Sequence, residues 1–171
     1  MPLVELKQSD GSWDRLKAGW AAQCEAAGED FSQYARGAFI VLDELAAAPE
    51  RRAGVFGIQR GDELPDVVCQ VNTTPLPGHP EPVLRVRMVT VCPDMDFGNR
   101  QEDAYIDALV NLFFGVVELQ ERDLGAKEVK FHLRSPSDYA FFRALRVPLG
   151  KIADFESVAM HGAWLYVTKR A

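Results

Sequence analysis

Apolar and polar residues alternate in some segments of this chain and recur at every third or fourth position in others. Alternation is typical of a half-buried strand, and the wider spacing is typical of an amphipathic helix. Along all 171 residues, these patterns predict the order strand, two helices, three strands, helix, strand, helix, two strands. This order indicates one α+β domain, residues 1–171, built on a central sheet.

Four helices are predicted. In the first, Leu16, Trp20 and Cys24 lie on one face, with Ser12 as the candidate N-cap and Gly28 at the end. The other three segments run from Phe31 to Leu45, from Asp103 to Leu124 with Gly125 as its cap, and from Pro136 to Leu145 after Ser135 as N-cap. Apolar residues of the third helix occupy more than one face, so we expect burial over much of its surface.

Seven strands complete the pattern, at Val4 to Leu6, Gly54 to Gln59, Asp66 to Thr73, Val83 to Cys92, Lys127 to Arg134, Phe155 to Ala159 and Trp164 to Thr168. The last two form a hairpin over His161 and Gly162. The predicted core includes Phe113, Phe114, Val117, Phe131, Phe141 and Trp164.

Charge and composition narrow the function classes. Nineteen basic and 25 acidic residues give a formal charge of −6, so no general electrostatic footprint for nucleic acid or an anionic membrane is expected. The sequence has no signal peptide pattern and no apolar run of spanning length, which favours a soluble, cytoplasmic protein without membrane contact. Three separate cysteines and three scattered histidines indicate neither a disulfide framework nor a metal site.

Four segments resemble a known family. Val89-Thr90-Val91-Cys92-Pro93-Asp94 is similar to the end of the fourth strand of GNAT acyltransferases. Residues 124–133 resemble that family's third helix entering the fifth strand, residues 141–147 the end of its fourth helix, and residues 164–169 its last strand. In this order and at this chain length, the segments resemble a divergent member of the GNAT superfamily.

The resemblance implies a mixed, mostly antiparallel sheet that has one parallel strand pair and helices on its flanks. Val83 to Cys92 and Val129 to Leu133 would be that pair, joined by the crossover helix from Asp103 to Leu124. It also implies an N-acyltransferase that uses acetyl-CoA or another acyl-CoA, with a small-molecule or peptide amine as the acceptor. Exposed edge strands of such a fold favour pairing into a homodimer.

The resemblance assigns the cofactor to one loop and one strand. The backbone of Val89 and Val91 would hold the pantetheine arm, and amides around Gly98, Asn99 and Arg100 would hold the pyrophosphate. Gly98 and Asn99 readily adopt open backbone angles, and Arg100 supplies a cation next to several acidic residues.

The chain departs from the family at the expected proton donor. Phe142 occupies the position at which the family often has a tyrosine, and Tyr139, nearly one turn earlier, is the remaining candidate acid. These departures keep a second hypothesis open, in which a catalytically reduced GNAT-like module binds a small ligand or a protein partner.

Two further features have alternative interpretations. Cys92 is either a nucleophile or, since no histidine is near in sequence, a buried structural thiol. Arg85 and Arg87 share one face of the long strand, where they either guide an acidic substrate or form a solvated or ion-paired surface.

Overall fold

The computed structural model describes residues 1–50, 52–74, 81–98, 100–120 and 126–170. These residues form a seven-stranded sheet in the order β1-β2-β3-β4-β5-β7-β6. The strands are β1 (Leu3–Leu6), β2 (Ala53–Ile58), β3 (Val67–Thr74), β4 (Val83–Val91), β5 (Glu128–His132), β6 (Phe155–His161) and β7 (Trp164–Lys169). Within the described sheet, β4 and β5 are the parallel pair, and every other neighbouring pair is antiparallel.

Five helices accompany the sheet in the described chain: α1 (Ser12–Ala26), α2 (Arg36–Ala47), α3 (Pro93–Asp96), α4 (Glu102–Leu119) and α5 (Pro136–Leu149). The helix α4 lies in the crossover between β4 and β5, as predicted, and the sheet is the one that the resemblance to the GNAT superfamily implies. The predicted helix end at Leu124 and the cap at Gly125 lie outside the described residues.

The two faces of the sheet carry different helices. On one face the ring of Phe131 stacks on Phe113 of α4 and on Phe142 of α5, with ring centroids 5.3 and 5.7 Å apart. On the opposite face the Trp20 indole of α1 donates a hydrogen bond of 3.2 Å to the Pro65 carbonyl. Phe39 of α2 packs against Trp20 and α2 contacts β2 and β4, so α1 and α2 together cover this part of the second face.

The expected core is confirmed in part. Phe113 and Phe131 are fully buried and Val117 nearly so, but Phe114 has 44% of its surface exposed. Phe141 and Trp164 are only half-buried. The expectation for Phe114 is wrong because α4 presents one side to the sheet and α5, whereas neighbouring residues on a helix point about 100° apart.

Several predicted helix starts need correction. Ser12 is the first residue of α1 rather than its N-cap: the cap is Gly11, with φ of 75°, and the Ser12 hydroxyl accepts the Lys7 N–H at 2.9 Å. The second helix begins at Arg36 instead of Phe31. The Asp30 carboxylate accepts the Ser32 N–H at 2.8 Å, and this local bond competes with helix formation in the preceding turn.

The last helix begins as predicted and ends later. Ser135 is the N-cap, with its hydroxyl accepting the Asp138 N–H at 2.9 Å. The helix continues to Leu149 with Pro148 in its last turn, where the missing N–H removes only one intrahelical hydrogen bond.

Candidate functional site

The parallel strands separate towards their carboxyl ends and open a cleft. Register between β4 and β5 runs from Val83 opposite Glu128 to Val86 opposite Phe131. Two residues later Met88 has φ of 54°, and the register between β3 and β4 shifts at the same level. A non-glycine residue in the left-handed region bends the strand. The last residues of β4 therefore line a cleft of about 1040 Å³ instead of pairing with β5.

Three helix starts meet at this cleft. Its walls include residues 34–38, which lie before and within α2, and residues 134, 135, 137 and 138 at the start of α5. Residues 95–97, residues 100–102 and Tyr105, which lie before and within α4, also line it. Unpaired backbone N–H groups and the positive end of the helix dipole occur at such starts. The first turns of α4 and α5 nevertheless carry acidic side chains, Glu102, Asp103 and Asp138.

The predicted pantetheine strand lies in the cleft wall. Val89 and Val91 both line it. The Val91 carbonyl already accepts a hydrogen bond of 2.7 Å from the Tyr34 hydroxyl, which reaches across from the segment before α2. Burial, followed by the charge of Asp96, raises the pKa of Tyr34 above its ordinary value, so this hydroxyl keeps its proton.

The loop predicted to bind the pyrophosphate, Gly98 to Arg100, has only some of the expected features. Gly98 has φ of 76°, and a Cβ built there would meet no atom within 4 Å. Arg100 lines the cleft, but its Nη1 lies 2.5 Å from Asp66 Oδ1 and its Nη2 4.0 Å from Asp94 Oδ2. Asn99 lies outside the described residues. The cation expected to face a pyrophosphate is therefore neutralised by the protein's own carboxylates.

The two aromatic residues singled out on α5 lie elsewhere. Tyr139 has 36% of its surface exposed and is not among the described residues lining the cleft. Phe142 is fully buried among the core rings of Phe113, Phe131 and Phe141. Phe142 therefore packs in the core on the sheet and does not face the cleft.

A tyrosine and a carboxylate that the sequence analysis missed meet in the cleft. Tyr105, one turn into α4, donates a hydrogen bond of 2.7 Å to Asp138 Oδ1 at the start of α5. Asp138 is only 7% exposed. Burial, followed by the hydrogen bond to Asp138, raises the pKa of Tyr105. The spacing Ser135-x-x-Asp138 is a capping-box pattern that fixes Asp138 in the first helical turn.

The cleft suits the pantetheine arm of coenzyme A better than its pyrophosphate. Among the described residues, five carboxylates and three arginines line the cleft. The open backbone of β4 fits an extended pantetheine arm, which can pair with it as an added strand does. The pyrophosphate end does not fit equally well, because Arg100 is engaged by Asp66 and Asp94.

No cysteine nucleophile or metal centre occurs in the described chain. Cys92 has 1% of its surface exposed, and burial raises the pKa of its thiol to about 11. Cys92 is therefore a structural thiol. Among the residues with described positions, no group of three or more His, Cys, Asp or Glu side chains is arranged to hold a metal ion.

Comparison with solved structures shows distant likeness only. No protein-family model and no curated protein matches the chain. It is similar to a chain of the solved structure titled "Structure of the AtaT-AtaR complex bound DNA", with 10% sequence identity and a TM-score of 0.43 over 74% of this chain and 78% of that one. A likeness at this level carries no argument about activity. In the described part of the chain, no helix has the length and apolarity needed to cross a membrane.

Proposed function

We propose that the chain transfers an acyl group from an acyl-CoA thioester, such as acetyl-CoA, to an amine. One observation carries the proposal: the parallel strands separate beyond Val86 and Phe131, which leaves the backbone of β4 open on a large cleft. An extended thioester arm can pair with an open strand edge through main-chain hydrogen bonds. The acceptor in this proposal is a small-molecule or peptide amine.

The cofactor contacts proposed are those of β4 and the following loop. The backbone of Val89 and Val91 holds the arm, and amides around Gly98, Asn99 and Arg100 hold the phosphate end. When bound, coenzyme A supplies an acyl group on a good leaving sulfur. The protein orients the reactants, which by itself lowers the barrier by several kcal/mol, about 7–11 in favourable cases.

Proton movement is the second task of the site. Transfer forms a C–N bond and breaks a C–S bond, so the amine loses a proton and the departing thiolate gains one. Tyr105 lies in the cleft with a protonated hydroxyl held by Asp138, and Tyr139 is the candidate from the sequence. A tyrosine hydroxyl near the sulfur donates this proton.

The second candidate function is a GNAT-like module that binds a ligand or partner without catalysis. Two contacts favour it. The Arg100 guanidinium is paired with Asp66 rather than presented to the cleft, and the Val91 carbonyl is occupied by the Tyr34 hydroxyl. Both groups would have to change partners for coenzyme A to bind as it does in the resembled family.

Isothermal titration calorimetry with coenzyme A and acetyl-CoA tests the proposal. Gly98→Val forces a β-branched residue into φ of 76° in the loop between Phe97 and Arg100, which both line the cleft. We expect binding to weaken at least about tenfold, or 1.4 kcal/mol. Gly11→Val is the matched control, because Gly11 has φ of 75° and equally open surroundings.

Each glycine variant carries a backbone strain of about 1–3 kcal/mol, so the two should melt at similar temperatures. Only Gly98→Val should lose affinity for coenzyme A. Absence of coenzyme A binding by the native protein would remove the acyltransferase proposal and leave the binding module.

A further inference from the structure

The sheet face opposite α4 carries a cluster of polar and aromatic side chains. Register places Gln70 opposite Arg87, Arg85 opposite Lys130, Lys130 opposite Tyr166, and His132 opposite Trp164. Side chains alternate along a strand, so these residues point away from Phe131 and α4. We call this surface the basic face: Gln70, Arg85, Arg87, Lys130, His132, Trp164 and Tyr166.

Some polar side-chain atoms of the basic face are shielded from solvent but have no hydrogen-bond partner among the described residues. Gln70 Oε1, Arg87 Nε and His132 Nδ1 are inaccessible to solvent and make no hydrogen bond within the described chain. Enclosed polar atoms in folded proteins almost always have a partner, since each unpaired one costs about 1–3 kcal/mol. Three such atoms lie on this one face, so it carries polar groups for which the described chain supplies no partner.

The charge of the face is positive, although the whole chain has a formal charge of −6. Arg85, Arg87 and Lys130 occupy neighbouring positions on two paired strands. Glu128 partly balances them, 3.3 Å from Lys130. Burial, with repulsion from Arg87 and Arg134, lowers the pKa of His132. Converging cations of this kind recognise an oxyanion, and a guanidinium matches a carboxylate or phosphate in two hydrogen bonds.

Aromatic rings extend the basic face beside the cations. The Trp164 ring lies 4.5 Å from the His132 ring at an interplanar angle of 34°, and Lys130 Nζ lies 4.6 Å from the centre of the Tyr166 ring. These rings offer apolar contact next to the charges, as ligand sites commonly do.

The basic face adjoins the cleft at the bend in β4. Arg87 directly precedes Met88, the residue with the left-handed backbone. The Arg134 guanidinium, which lines the cleft, donates a hydrogen bond of 2.9 Å to Met88 Sδ. A molecule anchored on the basic face can therefore extend past Met88 towards the ends of the parallel strands.

We propose that the basic face binds a small molecule bearing a carboxylate or phosphate, and that this group is the acidic end of the acyl acceptor. The first part stands on the face alone, and the second rests on the proposed acyl transfer. The acceptor class is then an acidic amine, with its oxyanion against Arg87 and Lys130 and its amine directed into the cleft.

Calorimetry at low salt tests the anion site, with glutarate and inorganic phosphate as separate probes and glutaramide as the neutral control. We expect at least one anion to bind native protein and the diamide not to bind. Arg87→Gln should weaken that binding at least about tenfold, because it removes a cation from the face. Arg146→Gln on the exposed side of α5 is the matched control and should bind as native protein does.

Arg87→Lys keeps the charge but loses Nε, so it should show intermediate affinity, and it replaces Arg87→Gln if that variant does not fold. Failure of both anions to bind, or equal binding by native protein and the Arg87 variants, would overturn the proposal. Coenzyme A titrations separate its two parts. If glutarate or phosphate binds and coenzyme A does not, the anion site stands and the proposed acyl transfer does not. If Arg87→Gln loses affinity for coenzyme A, the basic face belongs to the cofactor instead of the acceptor.

Discussion

Tyr105 is the cleft side chain whose surroundings best suit the handling of a proton. Its hydroxyl is held 2.7 Å from Asp138 Oδ1, and Asp138 is itself fixed by the Ser135 cap. The raised pKa keeps the hydroxyl protonated through the neutral range. The hydroxyl carries a single proton, which Asp138 accepts in this structure, so protonating a departing sulfur requires the hydroxyl to turn that proton from Asp138 to the sulfur.

Replacing Tyr105 with Phe should therefore lower the turnover of acyl transfer. Positioned acid catalysis contributes about 10²–10⁴-fold in rate, so we expect kcat to fall by at least ~10²-fold. Coenzyme A affinity should stay within about twofold, because the ring remains and the arm pairs with β4. The measurement is release of free thiol from acetyl-CoA over a panel of amines.

Tyr139→Phe is the companion variant, since Tyr139 lies on the same helix as Asp138 but outside the lining of the cleft. Its kcat should be close to that of native protein. The reverse outcome, with a full loss in Tyr139→Phe and none in Tyr105→Phe, would return the acid role to the residue indicated by the sequence.

At the scale of the element, α4 shows how one helix serves two environments. Phe113 contacts rings from α5, β5 and β6, while its neighbour Phe114 is 44% exposed. Phe113→Ala should cost about 3–5 kcal/mol of unfolding free energy, as truncation of a buried aromatic does. Phe114→Ala should cost about 1 kcal/mol or less. Urea unfolding of both variants measures the difference.

The same chemical change at adjacent positions makes this a paired comparison. Helix propensity improves equally in both variants, so it cancels from the difference. Equal losses of stability would mean that the outward side of α4 is covered by something in solution, such as a second copy of the chain.

The elements that could be predicted from the sequence are those specified by local periodicity. The alternation in β4 and β5 and the long apolar helix between them predicted these three elements, and the resemblance to GNAT acyltransferases then implied that the two strands are a parallel pair joined by that helix. The N-cap at Ser12 and the helix start at Phe31 were wrong. The Lys7 N–H donates to the Ser12 hydroxyl and the Ser32 N–H donates to the Asp30 carboxylate, and these local bonds decide where the backbone turns.

The cleft was predictable only in part. Val89, Val91 and Arg100 were indicated by resemblance, and the structure places them along it. Tyr34 and Tyr105 reach the cleft from elements distant in sequence, and no spacing rule joins them to Val91 or Asp138. The pairing of Arg100 with Asp66 depends on a contact 34 residues apart, which a single sequence does not reveal.

At the scale of the whole molecule, charge is unevenly distributed. Acidic residues outnumber basic ones by 25 to 19, yet Arg85, Arg87 and Lys130 lie together on one sheet face with His132 beside them. Carboxylates instead outnumber arginines along the cleft. An acidic acceptor bound on the basic face would thus bring negative charge to a part of the molecule where cations outnumber the single carboxylate of Glu128.

The charges near His132 predict how the free energy of unfolding changes as the pH falls. Burial and the charges of Arg87 and Arg134 lower the pKa of His132 in the folded chain, whereas the unfolded chain titrates near the ordinary value of about 6.5. The contribution of His132 to the free energy of unfolding is then complete above about pH 6.5. It is lost as the pH falls from there through the pKa of His132 in the folded chain, because the unfolded chain binds the proton first.

Thermal melts at pH 7.5 and 5.5 should show this loss in native protein, and His132→Gln should make the drop between the two pH values smaller. Absolute melting temperatures will also change, because the variant loses the contact with Trp164, so the comparison uses only the difference between pH values. His161→Gln, an exposed histidine on β6, is the control and should keep the native difference. If His132→Gln kept it as well, neither burial nor the charges of Arg87 and Arg134 would lower the pKa of His132 in solution.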